Sequence, residues 1–196
     1  LLYRKDVAKE IKTEIYDFSI IVKNRRIASY DRPLDVIFLS NGEYYANSNF
    51  NHLKNLCPNV KHLSNINGRS NSYKAMAEAS ETQWFFAVFA KLEVNDKFDF
   101  SWQPDYWQEP KHYIFNAKNP VNGLEYGHMA IVANNKKITL ATTGSGLDFT
   151  LDGRHEIVDI NSGIGRFNTS RWDAWRTAFR EVIKLKHAKD PESMER

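Results

Sequence analysis

Two near-continuous apolar runs, LDVIFLS at 34–40 and WFFAVFA at 84–90, constrain this fold more than any other feature of the chain. Both have strand length, and neither alternates between polar and apolar residues. A strand with one wet face alternates. A strand covered on both faces reads as an unbroken hydrophobic stretch, the pattern of parallel sheets. Between the two runs, Tyr44–Leu56 has helical character and is stopped by Pro58. NVKHLSNI at 59–66 reads as another strand, broken by Asn67-Gly68, and RSNSYKAMAEAS at 69–80 as a small-residue helix able to pack closely. Residues 34–94 therefore spell strand, helix, strand, helix, strand. That order predicts right-handed crossovers and an α/β fold, a mostly parallel central sheet with helices on both faces.

The flanks are less regular. Tyr3, Val7, Ile11 and Ile15 recur every four residues, which predicts a helix over 3–16, and FSIIV at 18–22 a short strand. After Phe98 the chain is aromatic and loop-like, with short strands expected at 113–117, 127–133 and 137–142. Arg171–His187 is the clearest helix. Its Trp172, Trp175, Phe179, Val182 and Ile183 share one face, which is expected to pack on the core, with a partner-docking face of a longer protein as the alternative. The reading is a single domain, with an extension at 1–33, one half at 34–100, and an irregular second half with the terminal helix at 101–196. The first residue is Leu rather than Met, as in a piece of a longer protein.

Composition removes several classes. The 196 residues suffice for one sizeable core. A net charge of +3, with no basic run longer than NRR at 24–26, gives no footprint for nucleic acid. The single cysteine, Cys57, excludes an internal disulfide framework and suits a reducing, cytoplasmic setting. No apolar stretch approaches the ~20 residues of a membrane span. GxGxxG, GxxxxGK[ST] and GxSxG are all missing, which argues against a dinucleotide dehydrogenase, an NTPase and an α/β-hydrolase. Aromatic residues make up 13% of the chain, a surplus that serves core filling or the stacking of sugars and bases.

Lys91 closes the second apolar run, and a buried strand ending in an isolated charge can deliver that charge to a site. DVIFLSNGE (35–43), NVKHLSNINGRSNSYKAMAEAS (59–80) and QWFFAVFAKLEV (83–94) together resemble the nucleotide-sugar-binding half of a GT-A-fold, family-2-like glycosyltransferase. The resemblance covers roughly a third of the chain. The region from FDFSW to WRTAFREV resembles hypothetical proteins of this type, some of them viral. In that family the third strand ends in an Asp-x-Asp pair that holds a divalent cation against the diphosphate. Here the matching positions are Phe89 and Lys91, so no metal is expected at the usual site and no other cofactor is implied. Lys91 would then meet the diphosphate as a fixed positive charge; the competing reading is a lost or repurposed site, with Lys91 a strand-end lysine reaching solvent or paired with Glu93 or Glu43.

The resemblance implies a UDP- or GDP-linked nucleotide sugar as substrate, with the acceptor open. Asn41 and Glu43 end the first strand and are the candidates for ribose or base; turn chemistry is the competing role. Arg69 and Ser70 open a helix whose free N–H groups favour an anion, so with Lys91 they are the candidates for the diphosphate; a solvated arginine and an N-cap serine are the competing roles. Taking the acceptor's proton needs a carboxylate or histidine. Asp148 in the Gly-rich GSGLDFTL, Asp105 in QPDYW and His128 in EYGHMAI are the candidates, each with an ordinary structural role as alternative. Trp102 and Trp107 would line an acceptor groove. His112, His128 and Asp148 match no short metal-ligand spacing. The rival function is a non-catalytic GT-A-like recognition or interaction module of a larger protein.

Overall fold

The computed structural model describes residues 32–105, 107–121, 123–142, 154–166 and 168–187. The helix and strand expected before residue 31 lie outside these residues, as do Asp148 and the GSG loop. The elements, in chain order, are β1 (Asp35–Ser40), α1 (Ala46–Leu56), β2 (Lys61–Ser64), α2 (Arg69–Ala79), β3 (Trp84–Phe89), β4 (Leu92–Val94), β5 (His112–Lys118), β6 (Glu125–Asn135), α3 (Lys136–Ala141), β7 (His155–Gly165) and α4 (Arg171–His187).

The strands form one sheet in the order β2-β1-β3-β6-β5-β7-β4. β1 pairs in parallel with β2 and β3, as the strand-helix-strand alternation predicts. Side chains alternate across these strands and both faces are covered. Val36, Phe38, Trp84, Phe86 and Val88 meet Ala46 and Leu53 of α1 on one face. Ile37, Leu39, Phe85 and Ala87 meet Tyr73, Met76 and Ala77 of α2 on the other. Burying each large apolar side chain contributes roughly 1.5–3 kcal/mol.

The expectation of a mostly parallel sheet is corrected: the sheet is mixed. β3–β6, β6–β5 and β7–β4 are antiparallel, while β5–β7 is parallel. The reason lies in the connections. Only residues 119–124 join β5 to β6, too few for the dozen or more of a parallel crossover. They turn back through Gly123, at φ +74, whose N–H donates to Asn119 O at 2.9 Å.

The strand expected at 137–142 is also corrected, since this segment is α3. Asn135 caps it, its side-chain oxygen accepting from Ile138 N–H at 3.1 Å, and this outweighs the β-branched Ile138 and Thr139. The aromatic segment after β4 is core filling in large part. Phe98, Phe100 and Trp102 pack edge-on around Phe86 at 5.8, 5.3 and 6.2 Å. The α4 face expected to be buried is exposed instead at Trp172, Trp175, Phe179 and Val182.

Candidate functional site at the carboxyl ends of the parallel strands

In an open α/β sheet, ligands gather where parallel strands end and their connecting loops diverge. Here that rim is laced together by the backbone. Asn65 N–H donates to Ser40 O at 3.1 Å, and Ala90 N–H to Leu39 O at 2.9 Å. Asn41 fastens the two loops beyond β1 and β2. Its Nδ2 donates to Ile66 O at 3.0 Å and its Oδ1 accepts from Ile66 N–H at 2.9 Å, mimicking a strand pair. Glu43 closes the turn through Gly42, at φ +86, by accepting the Asn41 N–H at 2.6 Å. Its backbone oxygen accepts from Ala46 N–H as α1 begins.

The start of α2 faces the same rim. Gly68, at φ +87, makes a turn that a side chain would strain, and no side chain caps the helix. Ser72 Oγ instead bonds back to Gly68 O at 2.9 Å. The first turn of α2 carries the positive end of the helix dipole towards this rim. Both Arg69 and Ser70 are partly exposed there.

Lys91 lies in the two-residue turn between β3 and β4, half-buried. Its carbonyl accepts from Arg166 N–H, so the turn is tied to the segment leading into α4. At that helix start, hydrogen bonds from Ser170 and Thr169 hold the Asp173 carboxyl below its usual range, and the charges of Lys91 and Arg176 add to the effect. Arg166 pairs with Glu93, its Nε 2.7 Å from Oε2.

β6 brings His128 to this end. β3 and β6 run antiparallel with Val88 beside Ile131. Tyr73, whose ring meets Phe89, donates from its hydroxyl to Met129 O at 3.5 Å, which brings this part of β6 close to the end of β3. His128 Nδ1 accepts from Ala130 N–H at 3.2 Å, so the neutral ring carries its proton on Nε2 and presents a donor. Phe89 meets Tyr73 edge-on at 5.3 Å and offers no ligand atom. Among the described residues, no group of three His, Cys, Asp or Glu could hold a metal ion. Phe89 and Lys91 do not fit the cation that the family places between its two aspartates.

The structure thus brings Asn41, Glu43, Arg69, Ser70, Lys91 and His128 to one rim. Asp105 and Trp107 are elsewhere, at the amino end of β3, roughly 20 Å away at about 3.3 Å per residue. Trp84, which opens β3, donates from Nε1 to Lys111 O at 2.9 Å. Lys111 reaches Gln108 at 2.6 Å, and Gln108 donates to Asp105 Oδ2 at 3.0 Å. Asp105 Oδ1 accepts the Trp107 N–H at 2.9 Å, and the Trp107 ring is 81% exposed. Trp102 packs at 5.0 Å from Tyr113 and 5.1 Å from Phe115. His112 is buried near the same amino end, its Nδ1 accepting Asn135 N–H at 3.2 Å.

Two rim residues escaped the sequence reading. Tyr44 and Tyr45 follow Glu43 directly, and the Tyr44 ring is 84% exposed. A tyrosine pair beside an Asn-Gly turn at a strand's end was the signal available.

No family model matches the chain, and neither does any curated protein. Solved structures give a faint likeness. The bifunctional IspDF from Campylobacter jejuni is similar at 11% identity and a TM-score of 0.42, over 66% of this chain and 50% of its own length. The chain thus spans half of that protein. A glycosyltransferase involved in glycosylation of the major capsid of PBCV-1 is similar at 13% identity and a TM-score of 0.43, over 75% of this chain and 99% of its own. HddC from Yersinia pseudotuberculosis is similar at 11% identity and a TM-score of 0.41, over 76% and 99%. Likeness at this level bears on neither substrate nor reaction.

Proposed function

We propose that the chain is a glycosyltransferase-like domain whose carboxyl-end rim seats the diphosphate of a UDP- or GDP-linked sugar without a metal ion. The observation that carries this reading is the convergence of the uncapped α2 start, Arg69 and half-buried Lys91 where three parallel strands end. Backbone N–H groups of α2 and the Arg69 guanidinium receive the phosphate oxygens. Lys91 supplies the charge that a cation supplies in the resembling family. Glu43 and the exposed Tyr44 ring take the nucleoside.

In the transfer, the acceptor oxygen bonds to the anomeric carbon as the bond from that carbon to the diphosphate breaks. The electron pair leaves with the nucleoside diphosphate, and the rim's cations and N–H groups stabilise its charge. The acceptor's proton passes to a carboxylate. Asp105 sits at the other end of the sheet, and Asp148, which lies outside the described residues, is the candidate for that role from its sequence context alone. His128, with Nδ1 engaged, acts as an Nε2–H donor to substrate oxygen rather than as the base.

The test is calorimetric titration of UDP, GDP and their sugars, each with and without Mn²⁺, on the wild type and on Lys91→Ala. Metal-independent binding is expected, with affinity falling about tenfold, or about 1.4 kcal/mol, in the variant. If no nucleotide binds under either condition, the non-catalytic recognition module takes the place of this reading.

A further inference from the structure

The C-terminal helix carries a surface that neither the core nor the proposed site uses. Along α4, Trp172, Trp175, Phe179 and Val182 recur at intervals of three, four and three residues. At about 100° per residue they fall in one stripe. They are 63%, 54%, 52% and 62% exposed. The rings stack on one another, Trp172 on Trp175 at 5.0 Å and Trp175 on Phe179 at 5.3 Å, to form a continuous aromatic ridge.

Charge is sorted around this ridge. Arg171 and Arg176 are exposed and, by the same helical geometry, border it on its two sides. The helix contains five Lys or Arg against two acidic residues, Asp173 and Glu181. Asp173 is half-buried and satisfied by Ser170 and Thr169. The outward surface is therefore aromatic with a basic border.

A second copy is a poor occupant. Four partly exposed side chains supply well under the ~800 Å² per partner of a stable interface, and pairing would bring two basic borders together. An anionic bilayer surface suits both halves of the pattern. Trp and Phe settle at the headgroup level, and Lys and Arg are drawn to anionic lipid. Among the described residues no helix is long and apolar enough to cross a membrane, so this one would lie along the surface. We propose that α4 is a docking face for an anionic membrane surface, with the Trp172–Val182 ridge entering the headgroup boundary and Arg171 and Arg176 meeting lipid phosphates.

The test is co-sedimentation of the whole chain with vesicles of phosphatidylcholine, and of equal parts phosphatidylcholine and phosphatidylglycerol. Binding is expected only to the anionic vesicles, with a blue shift in tryptophan emission. It should weaken about tenfold or more in Trp172→Ser/Trp175→Ser. Arg171→Glu/Arg176→Glu should weaken it too, as should raising salt from about 0.1 M to about 1 M, which shortens screening from roughly 10 Å to roughly 3 Å. These side chains are exposed, so far-UV circular dichroism is expected to match the wild type; the arginine pair carries the test if the tryptophan pair does not fold. No binding, equal binding to neutral vesicles, or binding indifferent to both variants overturns the proposal. A concentration-dependent dimer abolished by the tryptophan variant also overturns it and makes the ridge a self-interface.

Discussion

His112 opens β5 with its ring buried, and burial, with His155 nearby, pushes its pKa down to about 4. The folded state therefore holds the neutral ring, whereas the unfolded chain protonates it near pH 6.5. Between those values the unfolded state binds more protons, so stability rises with pH across this window. It is complete above about pH 6.5 and lost as pH falls towards about 4, a contribution on the order of 3 kcal/mol. Replacing the ring by a neutral amide removes the titration. Urea unfolding of His112→Gln from pH 7 to pH 4 is expected to give a flatter acid limb than the wild type, whatever the variant's stability at neutral pH. A limb of unchanged slope would assign the acid sensitivity to other groups.

The elements that the sequence declared best were those whose local chemistry and burial agree. The apolar runs at 34–40 and 84–90 became β1 and β3 because α1 and α2 cover both faces, and Pro58 and Gly68 mark where neighbouring elements stop and start. β7 was not legible, because HEIVDINSGIG mixes polar and apolar residues without a clean period and finds its place only through partners far away in sequence. Its pairing with β4 rests on Gly163, at φ +148, where an added Cβ would lie 2.0 Å from Glu93 O. Backbone cannot yield there as a flexible side chain could. Gly163→Ala is expected to cost about 3 kcal/mol or more. At roughly 2–4 °C per kcal/mol in a chain of this size, Tm should fall by roughly 6–12 °C in a calorimetric scan. A fall under a degree would mean that β4 leaves the sheet at little cost. At the rim, Asn41 illustrates what sequence cannot tell: its clamp on Ile66 depends on two loops meeting, which no spacing within one loop reveals.

At the scale of the whole molecule, the mixed sheet separates residues that sequence reasoning had grouped. Antiparallel β6 carries His128 to the end where β1 and β3 finish, and the start of β5 carries Asp105 and Trp107 to the end where they begin. A diphosphate bound at the α2 start feels Arg69 at contact range, whereas exposed charges separated by more than a Debye length, about 8–10 Å, are largely screened. Asp105 and Trp107 lie about twice that far from Lys91. Arg69→Ala is therefore expected to weaken UDP or GDP binding about tenfold, while Asp105→Asn and Trp107→Ala should leave it within about twofold. Arg69 is partly exposed and Asp105 and Trp107 are exposed, so all three variants should fold, and circular dichroism checks that they do. Titrating one nucleotide against the four proteins then locates the seat. Loss in Arg69→Ala alone puts it at the carboxyl rim. Loss in Asp105→Asn or Trp107→Ala, with Arg69→Ala unaffected, would move it to the opposite end and overturn the proposed placement.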